Sequence, residues 1–239
     1  MSMEDLSAIV LAGGRGTRIA GLYPDIPKPM IPAAGQPFLH WVTEWLLRRG
    51  ITDMVLSVGH MAGIVEDWAA ARQAALAGRA RLSCVREVRP LGTGGAVIAC
   101  LDFCRDWVLV MNGDSLLDAG IGPLFHRVRD GGLDGAVIGV EVADAARFGS
   151  LEVGGDGLLR GFTEKRPGAG LINGGVYIFR KSIFDKFARN KMMSMETDIF
   201  PALLADGASM AVDVCSGSFL DIGTPDSVVL ADDFVAALF

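Results

Sequence analysis

The sequence has few of the residues that mark disulfide scaffolds, metal clusters and nucleic-acid binders. Its four cysteines form neither a C-x-x-C pair nor a disulfide framework, so we expect reduced thiols. The three histidines have no metal-ligand partner at useful spacing. Lys and Arg total 22 against 28 Asp and Glu, a net charge of −6. That balance argues against a nucleic-acid partner but still permits a small phosphorylated ligand.

Long hydrophobic runs and a basic N-terminal region are also missing. No uninterrupted apolar stretch is long enough to span a bilayer, and the first residues, MSMEDLSAIV, are acidic rather than basic. We therefore expect a cytoplasmic protein without a membrane partner. No linker, low-complexity tract or internal repeat divides the 239 residues, of which 51% are hydrophobic. A single domain over residues 1–239, with one large core, is the expectation.

Short apolar runs alternate with helical patterns in the first half of the chain, and after Gly131 the strands become shorter and are separated by glycine-rich turns. The pattern predicts an α/β fold with a Rossmann-like, mostly parallel or mixed sheet flanked by helices. Strands are predicted at 7–11, 54–58, 82–85, 107–111, 136–140, 150–153, 158–162 and 172–179, and helices at 37–49, 63–76, 95–104 and 228–238.

Residues 9–18 read IVLAGGRGTR, a buried strand that runs into a glycine-rich loop with two arginines. Glycines let backbone N–H groups approach a phosphate or a base without interference from Cβ. Two known designs do not fit: Ile19 stands where a dinucleotide fingerprint needs its last glycine, and Thr17-Arg18 replaces the Lys-Ser/Thr pair of a P-loop. An ordinary glycine turn is the remaining alternative, but it does not explain the arginines.

The stretch PDIPKPM places Lys28 between Pro27 and Pro29, which predicts a stiff, extended backbone. A solvated surface lysine is the alternative to a cation that is preset for a polyphosphate. The loop NGDS (112–115) follows the fourth predicted strand. Because ligands of parallel sheets bind beyond the carboxyl ends of the strands, this loop and the first glycine loop could line one crevice.

Taken together, these letters resemble the signature of sugar-1-phosphate nucleotidyltransferases, namely L-A-G-G-x-G-T-R followed by P-K-P. Further motifs occur in the order of that family over nearly the whole chain: PLGTGGA (90–96), NGD (112–114), FTEKRP (162–167), LINGGVYIF (171–179) and FLDIGTP (219–225). The resemblance implies the nucleotide-diphospho-sugar transferase fold. It also implies an enzyme that joins an NTP to a sugar 1-phosphate, releases pyrophosphate and uses Mg²⁺. A nucleotide-binding half at about 1–115 and a sugar-phosphate-binding half at about 116–239 are expected.

The resemblance also implies roles for individual residues. Arg18 would neutralise the β- and γ-phosphates, and Lys28 would contact the α-phosphate or the sugar phosphate. Asp114 and Asp221 would hold Mg²⁺, Asp114 being catalytic, although turn or cap aspartates are the alternative. The expected nucleotide-binding residues are Leu11, Ala12, Gly13, Gly14, Gly16, Thr17, Arg18, Gly92 and Thr93.

Four residues of the second half are the sugar-phosphate ligands that the resemblance implies: Gly149, Glu164, Lys165 and Asn173. For Glu164 and Lys165, a solvent-exposed ion pair is the alternative. Glu87 is equally compatible with a base-reading side chain and with a salt-bridged surface glutamate, so it stays outside the predicted site.

Within the family, the short chain and the motifs DIPKPM, LINGGVY and FLDIGTP most resemble bacterial D-glycero-α-D-manno-heptose 1-phosphate guanylyltransferases. GTP and that heptose phosphate are therefore the implied substrates. N-acetylmuramate 1-phosphate uridylyltransferases and mannose-1-phosphate guanylyltransferases are alternatives, as is a non-catalytic nucleotide-binding regulatory subunit on the same scaffold. The apolar segment 228–238 could pack inside the protein or against a second copy, which leaves a homodimer open.

Overall fold

The computed structural model describes residues 3–146, 148–163 and 167–239. Strands form where β-branched and other apolar residues follow one another. They are β1 (Leu6–Leu11), β2 (Pro32–Ala33), β3 (Gln36–Pro37), β4 (Asp53–Val58), β5 (Arg81–Arg86), β6 (Trp107–Asn112), β7 (Ser115–Leu117), β8 (Gly135–Val142), β9 (Ser150–Val153), β10 (Leu159–Thr163), β11 (Gly170–Arg180), β12 (Met210–Cys215) and β13 (Phe219–Asp221).

The helices are α1 (Phe38–Arg48), α2 (Ala62–Leu76), α3 (Gly92–Cys100), α4 (Gly122–Asp130), α5 (Phe200–Ala205), α6 (Pro225–Val229) and α7 (Ala231–Leu238). Their ends follow local rules. Just past the ends of α1 and α2, Gly50 and Gly78 take positive φ values of 77° and 78°, which glycine adopts without strain. A capping box between Thr224 and Ser227 begins α6.

In the described part of the chain, nine strands form one mixed sheet. β5, β4, β1 and β6 are neighbours in that order and run parallel. The long β11 then pairs antiparallel with both β6 and β8, and β8 pairs parallel with β12. β9 and β10 extend the sheet beside the first residues of β11. The predicted fold, a mostly parallel or mixed sheet flanked by helices, is confirmed.

The core consists of two apolar layers, one on each face of the sheet. Along β1 the side chains alternate, so that Leu6, Ala8 and Val10 enter one layer and Ile9 the other. Helices α1 and α2 bury their apolar sides in the first layer, and α3 and α5 bury theirs in the second. Helices therefore cover both faces of the sheet, which leaves the carboxyl-end loops of the parallel strands accessible.

Several predicted boundaries were wrong. Helix α3 begins at Gly92 rather than at residue 95, because the glycines themselves form its first turn. The single helix predicted at 228–238 is the end of α6 followed by α7. In α7, Ala231 and Val235 are buried in this chain's own core. Among the described residues, no helix combines the length and the apolar character needed to cross a membrane.

Candidate active site

The loops after β1 and β6 lie side by side. The two strands are parallel neighbours, with Leu11 opposite Asn112. The backbone N–H of Gly113 donates a hydrogen bond to the carbonyl of Leu11 at 3.0 Å. A Cβ at position 113 would lie 2.8 Å from that oxygen, so glycine is needed for the close approach. The first glycine loop and the NGD motif therefore share one edge of the sheet.

Asp221 reaches the same edge through a small antiparallel pair formed by β7 and β13. In this pair Asp221 lies opposite Ser115, the residue after Asp114. The backbone N–H of Ile222 donates to the carbonyl of Asp114 at 3.0 Å. The Asp221 carboxylate turns back to accept from the N–H of Gly223 at 2.8 Å, and a Cβ on Gly223 would overlap that carboxylate. The pairing thus places two carboxylates that are far apart in sequence beside each other.

Lys28 lies between these two carboxylates. Its Nζ is 2.5 Å from Oδ2 of Asp114 and 3.6 Å from Oδ2 of Asp221, and the lysine side chain is only 11% exposed. The extended backbone predicted for Lys28 was wrong, because residues Lys28–Met30 form a single 3₁₀ turn. Gly16, at φ 56°, packs against this lysine, and a Cβ there would be 3.0 Å from the Cβ of Lys28.

The donor set around Lys28 fits a divalent cation. The Ser115 hydroxyl lies 3.4 Å from Oδ1 of Asp114 and 3.4 Å from Oδ2 of Asp221, so both carboxylates face one small space. Mg²⁺ prefers one or two carboxylates completed by substrate phosphate oxygens and water. In the ranges that the structure describes, no group of three or more His, Cys, Asp or Glu side chains is placed to hold an ion. Substrate phosphate oxygens and water would therefore have to complete the ligand set of an ion held between the two aspartates.

A cavity of about 350 Å³ opens beside these three side chains. Its wall combines the glycine loop with the charged residues: Gly14, Gly16, Thr17, Arg18, Lys28, Asp114, Asp221 and Gly223. Arg18 is exposed, and within the described residues it forms no ion pair that would have to be broken first. Backbone amides and two cations converge on this cavity, a pattern typical of polyphosphate sites.

A second cavity of about 430 Å³ continues from the first on the side of β5. Leu11, Gly13 and Gly14 border it on one side, and Gly92 and Thr93 on the other. Ala12 lines neither cavity. Its side chain is buried, and its N–H donates to the carbonyl of Ser57 at 2.8 Å. Ala12 was predicted to bind the nucleotide. In the structure it anchors the loop to β4.

Glu87 lines the second cavity, although the sequence left its role undecided. Its Oε1 accepts from the Ser57 hydroxyl at 3.2 Å, and its Oε2 accepts from the N–H of Leu91 at 2.9 Å. A Cβ on Gly13 would lie 2.5 Å from Oε1, so the carboxylate packs directly on the first glycine loop. Glu87 forms no ion pair with the described residues, unlike a salt-bridged surface glutamate. Its position just before PLGTGGA was the available signal.

The glycines of PLGTGGA mostly serve packing. A Cβ on Gly92 would lie 2.5 Å from the carbonyl of Met193, and one on Gly94 would lie 2.6 Å from the Ile199 side chain. The N–H groups of Gly94 and Gly95 both donate to the Met193 carbonyl, at 2.8 and 3.2 Å. The first turn of α3 is therefore fixed to the segment that precedes α5.

Two of the four predicted sugar-phosphate ligands converge. Asn173, on β11, donates its backbone N–H to the carbonyl of Gly149 at 3.0 Å. Its side-chain Nδ2 donates to the Tyr177 hydroxyl at 2.7 Å and to Oε1 of Glu196 at 2.9 Å. Burial, with the charges of Glu196 and Asp114 adding to it, raises the pKa of the Tyr177 phenol, which stays protonated. Glu164 and Lys165 lie outside the described residues.

Comparison with known proteins agrees with this geometry. The family model described as nucleotidyl transferase matches residues 7–237. The chain belongs to this family and is a nucleotidyltransferase. The resemblance seen in the sequence is thereby confirmed. Members of the family generally use a divalent metal.

Two relatives illustrate the similarity to proteins of known activity. The chain is 32% identical over 224 residues to D-glycero-alpha-D-manno-heptose 1-phosphate guanylyltransferase of Campylobacter jejuni, covering 92% of this chain and 96% of that one. It is 33% identical over 233 residues to mannose-1-phosphate guanylyltransferase of Mycobacterium tuberculosis, covering 96% of this chain. The match spans only 64% of the Mycobacterium protein's length.

Solved structures are similar in fold. The crystal structure of HddC from Yersinia pseudotuberculosis complexed with GMP-PN matches with a TM-score of 0.83 and 30% identity, covering 95% of this chain and 98% of that one. A glucose-1-phosphate thymidylyltransferase structure from Bacillus anthracis, described as putative, has a TM-score of 0.81 at 22% identity and covers 96% of this chain and 95% of that one. At that identity, the second match supports the fold alone.

Proposed function

We propose that the protein transfers a guanylyl group from GTP to a sugar 1-phosphate in the presence of Mg²⁺. The preferred acceptor is D-glycero-α-D-manno-heptose 1-phosphate, so the products are GDP-heptose and pyrophosphate. The observation that carries this proposal is the position of Lys28, whose Nζ lies 2.5 Å from Asp114 and 3.6 Å from Asp221 in the cavity formed by the glycine loop.

The reaction is a displacement at phosphorus and needs no protein nucleophile. An oxygen of the sugar 1-phosphate forms a bond to the α-phosphorus of GTP. The bond from that phosphorus to the oxygen bridging to the β-phosphate breaks, and pyrophosphate leaves with the electron pair. Catalysis of such transfers rests on positioning and on neutralising charge. Mg²⁺ held by Asp114 and Asp221 would supply part of the neutralising charge when bound.

The side chains of this chain would supply the remainder. Arg18, exposed at the mouth of the cavity, would meet the β- and γ-phosphates, where negative charge accumulates on the leaving group. Lys28 would donate to the α-phosphate or the sugar phosphate after leaving the carboxylate of Asp114. A cation about 4 Å from a phosphate oxygen contributes roughly 4 kcal/mol at an effective dielectric near 20. Two such cations would therefore stabilise the transition state substantially.

Glu87 supports guanine as the base. A carboxylate is an acceptor only, and guanine offers two adjacent donors, the N1–H and the 2-amino group. Uracil and thymine offer a single N–H between two carbonyl oxygens, which would face the carboxylate unfavourably. Glu87 lines the cavity that continues from the phosphate site, and its hydrogen bonds to Ser57 and Leu91 fix its carboxylate. Guanine in this cavity would pair with a preset acceptor.

The relatives support the proposed sugar. The guanylyltransferases named for heptose 1-phosphate, from Campylobacter jejuni and Aneurinibacillus thermoaerophilus, are matched over 96% and 94% of their own lengths. The relative named for mannose 1-phosphate is matched over 64% of its length. Mannose 1-phosphate has the same ring configuration as the heptose and is the second candidate.

The test is pyrophosphate release in the presence of Mg²⁺, with four NTPs crossed against a panel of sugar 1-phosphates. We expect turnover with GTP and the manno-heptose phosphate. Preference for mannose 1-phosphate would replace the acceptor, and preference for UTP with N-acetylmuramate 1-phosphate would replace both substrates. No turnover by the folded protein with any pair would refute the proposal.

Glu87→Gln tests the choice of base. The amide presents a donor beside its acceptor, so we expect kcat/KM for GTP to fall about tenfold or more, because a buried polar pair is mismatched. The low activity with UTP should not fall. Asp114→Asn serves as the comparison, because it should lower turnover with every NTP alike.

A further inference from the structure

Glu196 faces the predicted sugar site, although neither a motif nor the prediction singled it out. It belongs to a single π-helical turn, Met195–Ile199, just before α5. Its Oε1 accepts from Nδ2 of Asn173 at 2.9 Å. A Cβ built on Gly149 would lie 3.7 Å from Oε1 and 3.8 Å from Oε2. Glu196 is also exposed. It therefore lies beside Gly149 and Asn173 at a surface that a sugar can reach.

The side-chain donors of Asn173 are already engaged in hydrogen bonds within the protein. The two Nδ2 hydrogens are directed at the Tyr177 hydroxyl and at Glu196, and Oδ1 accepts from the N–H of Gly175 at 3.0 Å. Asn173 therefore has no free donor for a sugar hydroxyl. The carboxylate of Glu196 accepts one hydrogen bond from Asn173, through Oε1. Within the described residues, its Oε2 has no hydrogen-bond partner. Within this group of side chains, Glu196 therefore has acceptor capacity left for sugar hydroxyls.

The backbone beside Glu196 is tied to the nucleotide side of the site. The hydroxyl of Thr93, at the start of α3, accepts from the N–H of Met195 at 2.8 Å. Two glycine N–H groups of α3 hold the carbonyl of Met193. At the other end of the segment, the Ser194 hydroxyl accepts from the N–H of Thr197 at 3.3 Å. π-helical turns occur frequently at functional sites, and this one is held on both sides of Glu196.

Charge sets the direction in which a sugar 1-phosphate would lie. The carboxylate of Glu196 repels a phosphate and attracts hydroxyl donors, whereas Lys28 and Arg18 attract the phosphate. Asn173 joins Glu196 to Tyr177, which lies on β11 opposite Val110 of β6, the strand that leads into the NGD loop. A sugar 1-phosphate bound between Glu196 and that loop would place its phosphate near Lys28 and its ring hydroxyls near Glu196.

We propose that Glu196 determines sugar specificity by accepting hydrogen bonds from ring hydroxyls of the sugar 1-phosphate, with Asn173 and Thr93 as its positioning residues. This inference rests on the proposed function, since it assigns a residue to the acceptor side of that reaction. It identifies the hydroxyl pattern, rather than the phosphate, as what Glu196 recognises.

The experiment combines Glu196→Gln with sugar phosphates that lack single hydroxyls. The probes are D-glycero-α-D-manno-heptose 1-phosphate, and mannose 1-phosphate with its analogues that each lack one ring hydroxyl. We expect Glu196→Gln to lower kcat/KM for the parent sugar phosphate by roughly 10- to 100-fold, because a hydrogen bond to a charged group is lost. The KM for GTP should stay unchanged. At least one deoxy analogue should be poor for the wild type, yet equal to its parent for Glu196→Gln.

A merely structural role for Glu196 gives a different pattern. In that case the variant would lose the same factor on every analogue or lose nothing, and either result would overturn the inference. Glu152→Gln, an exposed glutamate of β9, is the matched control and should leave all these values unchanged. Glu196→Asp keeps the charge and should retain part of the discrimination between parent and analogue. No turnover by the wild type with any sugar phosphate would overturn both this inference and the proposed function.

Discussion

Two glycine-rich stretches of this chain look alike in sequence but have different structural roles. In AGGRG (12–16), Gly14 has open space where a Cβ would be, and it lines both cavities. In LGTGG (91–95), a Cβ on Gly92 or Gly94 would collide with the chain around Met193 and Ile199. Gly14 in the first stretch leaves room for a ligand, whereas Gly92 and Gly94 in the second leave room for another part of the protein. A glycine-rich motif at a ligand site can thus be required by packing alone.

Lys28→Met tests the phosphate cavity that the first glycine stretch lines, and it should give the largest effect on activity. Lys28 packs against Gly16 and lies between Asp114 and Asp221. Loss of a preset cation at a developing negative charge should lower kcat by about 10²- to 10³-fold. Steady-state pyrophosphate release measures this. Lys186→Met removes a lysine that pairs with Asp206 far from the site and should have no effect on turnover.

The same variant also tests whether Lys28 competes with a metal. Without the ammonium, Asp114 and Asp221 lose a neighbouring positive charge that repels a metal ion, so Lys28→Met should bind Mn²⁺ about tenfold more tightly than the wild type without nucleotide, a difference of about 1.4 kcal/mol. Electron paramagnetic resonance of Mn²⁺ measures the affinity. Equal affinities would show that Lys28 and the metal do not share the space. Adding Asp114→Asn should abolish the gain.

Gly92→Ala tests the packing role of the second stretch. Position 92 has a φ of 67°, and the new Cβ would lie 2.5 Å from the Met193 carbonyl. Backbone strain together with overpacking should lower the free energy of unfolding by about 2–4 kcal/mol. Thermal denaturation should show Tm lower by roughly 5–15 °C. An unchanged Tm would mean that the chain near Met193 adapts freely.

Thr93→Val isolates the link between the second stretch and Glu196. The variant keeps the shape of the side chain but removes the acceptor for the N–H of Met195. We expect a loss of about 1 kcal/mol in unfolding free energy. The KM for the sugar phosphate should rise more than the KM for GTP. Kinetics with each substrate varied in turn measure the split, and equal rises would argue against a link that acts through Glu196.

Gly14→Ala should have the smallest effect on stability. No atom lies within 4 Å of the new Cβ, and the φ of Gly14 is not positive. We expect the unfolding free energy to change by less than about 0.5 kcal/mol. The KM for GTP should nevertheless rise, because the methyl group enters the space of the ligand. A large fall in Tm would contradict the distinction between the two glycine stretches.

The sequence predicted the first half of the fold well because its signals are local. Apolar runs and helical spacing located β1, α1 and β4, and the rule for parallel strands correctly placed NGD beside the first glycine loop. Several elements escaped prediction, among them β12 and α5 in the second half and the short strands β2, β3, β7 and β13. Helix α4, between glycines at 122 and 131, was also missed, although Leu124, Phe125 and Val128 show a helical pattern.

The parts of the candidate site that the sequence did not predict depend on contacts between segments that are far apart in sequence. Glu196 meets Asn173 only because the turn before α5 folds against α3, and no local pattern reports that contact. The need for glycine at Gly92 and Gly94 arises from residues about a hundred positions later in the chain. Glu87 had a local signal, its place before PLGTGGA, but its carboxylate gains a clear role only through Ser57 and Gly13.

The pairing of β7 with β13 sets an order of events during synthesis. Asp114 emerges from the ribosome together with the strands around it, but Asp221 is translated much later and reaches the site only when β13 adds to β7. A nascent chain that stops short of residue 221 offers only one of the two carboxylates. The metal site that we propose at Asp114 and Asp221 would therefore be completed only after β13 has paired with β7.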